Sequence, residues 1–166
     1  MKSKVSGARS LMSIALVTVM LSSVSANAIE NAQEAIVTPN YEKSMRTLEM
    51  MKKCDANGDG EVSQEEGEAY FRRMFATLDV SHDGVLDKTE WVGAARNVEV
   101  VSLSNGGYAR ALSSMDMMVK CDANKDRKVT ETEFLAIHQN LFNKMAAGQP
   151  AIDADHWIAT HLPIKG

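Results

Sequence analysis

The chain has 166 residues, a formal charge of −4, four histidines and two cysteines. The acidic balance disfavours nucleic acid as a partner, because a phosphate backbone calls for a basic footprint. Two cysteines are too few for a disulfide framework, so Cys54 and Cys121 are either two buried free thiols or one bridge.

Residues 1–28 read as a secretory leader. Lys2, Lys4 and Arg9 make a positive start, an apolar run follows from Leu11 to about Val24, and Ala26-Asn27-Ala28 supplies small residues for cleavage after Ala28. The run is shorter than the roughly 20 residues that span a bilayer, so no permanent membrane span is expected. No cysteine lies near the cleavage point, which argues against a lipoprotein. Cleavage removes three positive charges and no acids, taking the formal charge from −4 to −7.

Residues 29–39 form a short tail, and Thr38-Pro39-Asn40 opens the first helix, since proline is tolerated in a first turn. From there the chain is duplicated. The run Met50 to Asn57 aligns with Met117 to Asn124, and Trp91 aligns with Trp157. The halves span 40–97 and 108–163, joined by a linker at 98–107 that ends in the breaker residues Ser104-Asn105-Gly106-Gly107. Apolar residues recur at helical spacing (Tyr41, Met45, Leu48 and Met51; Leu112, Met115 and Val119) with no strand-like alternation of any length, so the fold class is all-α.

Between the helical stretches lie twelve-residue loops with oxygen donors where a calcium ion needs them. Calcium takes six to eight oxygens, and such a loop supplies them from positions 1, 3 and 5, a carbonyl at 7, often a water at 9, and a bidentate glutamate at 12. The first loop carries Asp55, Asn57, Asp59, the Glu61 carbonyl and Glu66, with Gly60 at the turn and Ser63 at the water position. The second carries Asp79, Ser81, Asp83, the Val85 carbonyl and Glu90, with Gly84 at the turn and Asp87 adding charge. The third carries Asp122, Asn124, Asp126, the Lys128 carbonyl and Glu133, but Arg127 stands at the turn. Loop one has five acids and no base, loop two four and one, loop three four and three, so the third site should be the weakest. A fourth loop, Met145 to His156, lacks the acids and the closing glutamate and is expected to serve packing alone.

These loops resemble the EF-hand superfamily, and the whole pattern is similar to exported, periplasmic calmodulin-like proteins of bacteria. The resemblance implies helix–loop–helix units, calcium as the bound ion with magnesium as a competitor, and loops paired through a short β-bridge. Only residues 67–78 separate the first two loops and 134–144 the last two, so each half is expected to be helix-loop-helix-loop-helix around one shared helix. Consecutive loops then sit at opposite ends of that helix, and the halves are expected to pair across a pseudo-twofold: Val62 with Val129 and Leu86 with Ile152, in one six-helix body.

Function divides into a calcium sensor acting on an envelope partner, and a calcium buffer or calcium-braced structural protein. Met45, Met50, Met51, Met74, Met115, Met117, Met118 and Met145 are core residues or, in part, a sensor's contact surface. The adjacent pairs Met50-Met51 and Met117-Met118 are not expected to face inward together. His82, His138, His156 and His161 lack zinc spacing, and no phosphate loop or nucleophile elbow is present, so no enzymatic activity is expected.

Overall fold

The structure, a computed structural model, describes residues 37–159. The leader, its cleavage point, most of the 29–39 tail and residues 160–166 lie outside the described residues. In chain order the elements are α1 (Pro39–Met45), α2 (Leu48–Cys54), β1 (Glu61–Ser63), α3 (Gln64–Leu78), β2 (Val85–Leu86) and α4 (Lys88–Gly93), then a 3-10 turn (Ala94–Arg96) and α5 (Val98–Leu103). They continue with α6 (Gly106–Leu112), α7 (Met115–Cys121), β3 (Val129–Thr130), α8 (Glu131–Ala146), β4 (Ala151–Asp153) and α9 (Ala154–Ile158). The protein is an all-α fold of helix–loop–helix repeats, and no helix among the described residues is long and apolar enough to cross a membrane.

Pro39 occupies the first turn of α1, and the Thr38 hydroxyl accepts the Tyr41 N–H at 3.3 Å. The helix does not run on to the first loop. Thr47 and Ser114 adopt extended backbone, and their hydroxyls accept the N–H groups of Met50 (3.2 Å) and Met117 (3.3 Å). A hydroxyl residue that offers the backbone this bond competes with continued helix and starts a new one. The break rotates the apolar stripe. Leu48, Met115 and Val119, expected inside by spacing, are 49%, 41% and 68% exposed, while Met50, Met51, Cys54, Met117, Met118 and Cys121 are buried. Both members of each methionine pair are therefore inside, because α2 lies between α3 and α9, and α7 between α8 and α4. Both thiols are free.

The 98–107 segment differs from a plain linker. Asn97 caps α5 through its side chain, and Val100 and Ser104 are buried. The Asn105 side chain accepts the Tyr108 N–H at 2.8 Å, so Gly106 and Gly107 begin α6 instead of breaking the chain.

The shared helices α3 and α8 cross antiparallel at the centre. A Cβ on Gly67 would meet the Phe142 ring at 3.1 Å, Phe71 stacks on His138 with ring centres 4.0 Å apart, and Phe75 lies edge-on to Phe134 at 5.7 Å. This direction decides which loops meet. The start of α3 lies beside the end of α8, so loop one pairs with loop four and loop two with loop three: Val62 opposes Ile152, and Leu86 opposes Val129. The halves do pair across a pseudo-twofold, but the expected partners, Val62 with Val129 and Leu86 with Ile152, are corrected. Those pairs would require parallel shared helices.

One hydrophobic core runs through both halves. The Trp157 indole N–H donates to the Met45 carbonyl (2.9 Å), and the Trp91 indole N–H donates to the Ser114 carbonyl (3.0 Å), so each half's last helix is tied to the other pair member's opening break. Near the pseudo-axis the hydroxyls of Tyr41 and Tyr108 meet at 2.6 Å, and Tyr41 also bonds His138 Nε2. His138 Nδ1 lies 2.6 Å from the Phe134 carbonyl, which can only accept, so Nδ1 carries the proton and Nε2 accepts from Tyr41. Burial pushes the His138 pKa down to about 4, against a smaller upward pull from that carbonyl.

Candidate metal centre

Each of the first three loops is shaped by N–H groups that aim its carboxylates inward. The position-1 carboxylate accepts from the turn residue: Gly60 to Asp55 (3.0 Å), Gly84 to Asp79 (3.0 Å) and Arg127 to Asp122 (2.8 Å). The closing glutamate accepts from position 3: Asn57 to Glu66 (3.1 Å), Ser81 to Glu90 (2.9 Å) and Asn124 to Glu133 (3.2 Å). Position 5 is held by the position-7 amide, from Glu61 to Asp59, Val85 to Asp83 and Lys128 to Asp126. Within each loop these bonds link positions 1 and 6, 3 and 12, and 5 and 7, and among the described residues loop two alone brings three carboxylates together, those of Asp79, Asp83 and Glu90.

The same glutamates start the following helices. Ser63, Asp87 and Thr130 are N-caps, and Glu66, Glu90 and Glu133 return a bond to the cap's own N–H at 2.9, 3.1 and 3.0 Å. This capping box fixes the bidentate position before any ion arrives. Hydrogen bonds from the Ser63 amide and hydroxyl, and from the Asn57 and Ala56 amides, hold the Glu66 carboxyl below its usual range despite some desolvation. At Glu133 burial raises the pKa, and the bonds from Thr130, Asn124 and Ala123 outweigh it. The capping role of Ser63, Asp87 and Thr130 was not assigned from sequence, although Ser-x-x-Glu, Asp-x-x-Glu and Thr-x-x-Glu carry its signal.

Backbone conformation grades the loops. Position 6 is left-handed in all three, at φ 89° for Gly60, 83° for Gly84 and 69° for Arg127. Position 4 is left-handed as well: Gly58 at 75°, His82 at 57° and Lys125 at 62°. Loop one meets both demands with glycine, loop two one of them, loop three neither. A side chain in that region is strained, so the ranking read from charge is reinforced by geometry.

The donor set fits a hard divalent cation. In loop two, Asp79, Asp83 and Glu90 each offer an oxygen within 4.8 Å of the others. Oxygens about 2.3–2.6 Å from one ion lie at most about 5 Å apart, so this spacing suits a shared ion. The Ser81 hydroxyl lies 3.3 Å from Asp79 Oδ1, placing the third-position oxygen beside the same group. Loop four has no such set. Ala147 and Gly148 are left-handed at the end of α8, Ile152 is buried in the bridge, and Asp153 caps α9 by accepting the His156 N–H (2.9 Å) and its ring Nδ1 (2.8 Å). His156, where the glutamate would stand, is turned onto its own cap.

Paired helix–loop–helix units with an all-oxygen acidic cluster define a calcium-binding class of protein. Residues 68–139 match the family described as an EF-hand domain pair, and residues 49–66 match the one described as an EF hand. The matches support the EF-hand superfamily and, with the acidic cluster, calcium binding. The longer match spans loops two and three, the two that share the β2–β3 bridge. Comparison with curated proteins finds no match.

Proposed function

We propose that the chain is an exported calcium sensor with three working loops, acting on a protein partner in the cell envelope and having no catalytic activity of its own. The observation that carries this reading is the β2–β3 bridge between two unequal loops, one with a clustered acidic set and one strained at Lys125 and Arg127. Unequal sites joined by a bridge fill over a range of calcium concentration and transmit each other's occupancy, which suits a response more than constant saturation. Magnesium competes at such oxygen sites but prefers near-octahedral geometry. The apolar run of residues 11–24 and the small residues Ala26 and Ala28 before the cleavage point support export to the periplasm or beyond.

A second reading, a calcium buffer or calcium-braced structural protein, is favoured by the burial of Met45, Met50, Met51, Met74, Met117, Met118 and Met145. A sensor has to uncover some of that surface. Calcium titration of residues 29–166 in magnesium, followed with an apolar dye and by thermal melting, separates the two. Rising dye fluorescence supports the sensor. A flat or falling signal with a rising melting temperature supports the brace.

A further inference from the structure

The two hand pairs are related by the pseudo-twofold, yet the side chains at their seams differ. At the seam of α2 and α9, the Arg46 side chain is 5% exposed and bonds Glu42 at 3.1 Å, while Glu42 also takes Lys144 of α8 at 3.2 Å. The same guanidinium reaches the carbonyls of His156 (3.3 Å) and Trp157 (3.5 Å) at the end of α9, groups that a terminating helix leaves unpaired. The cluster therefore ties the α1–α2 break, α8 and α9 together, beside the Trp157 bond to Met45.

The 67-residue repeat offset puts Ala109, Ser113 and Thr77 at the places of Glu42, Arg46 and Lys144. None can form an ion pair, and the Ser113 hydroxyl bonds locally to the Arg110 carbonyl. The seam of α4 and α7 keeps its indole bond from Trp91 to Ser114. Its α4 has six residues and passes at Gly93 into the 3-10 turn, where Ala94 is packed in the core. Charge demand is also unequal: loops two and three both carry acidic ligand sets, whereas loop one is paired with the acid-poor fourth loop.

We propose that calcium moves one hand pair only, opening the seam of α4 and α7 while Arg46 keeps the seam of α2 and α9 latched. This rests on the calcium-binding reading above. Two ions act on the pair without the latch, and one acts on the pair that has it. Arg46 is a positioning residue for α9 and touches no ligand.

Each seam contains one of the two tryptophans, so fluorine-labelled tryptophan in the processed protein reports both at once. Trp91→Phe and Trp157→Phe variants assign the two resonances, and the difference between H2O and D2O reports water contact at each indole. Calorimetry in parallel reports whether calcium binds. The expected result is that calcium brings water to Trp91 and leaves Trp157 dry, and that Arg46→Met lets calcium wet Trp157 as well. If Arg46→Met does not fold, Glu42→Gln loosens the same cluster with less loss of packing and should give the same change. Calcium that binds but wets both indoles, neither, or Trp157 alone in the unaltered protein overturns the proposal. So does a folded latch variant in which Trp157 stays dry. Absence of calcium binding removes the parent reading itself.

Discussion

Replacing Arg127 by glycine should strengthen the third loop, and the size of the effect can be worked from its backbone. Arg127 sits at φ 69°, where the first two loops have Gly60 and Gly84. A Cβ in that region costs about 1–2 kcal/mol when the ion fixes the loop, and glycine gives back about 0.5–1 kcal/mol because it has more freedom to lose as the ion-free loop is ordered. Removing the guanidinium also takes one positive charge from the loop, worth less than the roughly 1 kcal/mol of an exposed pair at 4 Å in water and less again in salt. Together the changes favour the ion-bound loop by about 1–1.5 kcal/mol, close to tenfold in affinity. Calorimetric titration of the wild type, Arg127→Gly and Arg127→Ala at two salt concentrations separates the contributions. Alanine removes the charge and keeps the Cβ, so it should recover only the salt-sensitive part. Equal affinity for the glycine and alanine variants would refute the strain argument.

Glu90→Gln should weaken the third loop by about fivefold or more, a typical coupling between linked sites, and leave the first loop unchanged, as site-resolved calcium titration would show. In the tyrosine chain, Tyr108→Phe removes one hydrogen bond and should cost about 1 kcal/mol, whereas Tyr41→Phe strands both the Tyr108 hydroxyl and His138 Nε2 and should cost about 2–4 kcal/mol by urea unfolding. His138 is held neutral by burial with a pKa of about 4, below its ordinary 6.5, so its contribution is complete above pH 6.5 and is lost as the pH falls toward 4. The loss amounts to about 3 kcal/mol. Urea midpoints in chelator across that range should fall steeply in the wild type and less steeply in His138→Phe, which copies its repeat partner Phe71.

The loops were legible in the sequence because calcium dictates residue types at fixed positions, and the ligands at Asp55, Asp79 and Asp122 follow that rule directly. The duplication was legible because tryptophan and cysteine recur in register. The break before Leu48 was not, since Tyr41, Met45, Leu48 and Met51 satisfy a helical period while the Thr47 hydroxyl quietly supplies a better bond for a new helix start. The loop partners were missed for a global reason: Val62 and Leu86 mark bridge positions, but their partners depend on the antiparallel crossing of α3 and α8. The Tyr41–Tyr108–His138 chain had no local signature. It exists because the duplication places equivalent tyrosines at one axis, where one half carries His138 and the other Phe71.

Because each β-bridge joins strands from different halves, neither half can complete a hand pair from its own loops. Such a body is a homodimer written into a single polypeptide. Two copies of one half could exchange strands in the same way about a true twofold, at the place where Tyr41 faces Tyr108. Within one chain no self-association is needed and the two copies are free to differ, so the fourth loop can lack the acids while its bridge strand still completes the first.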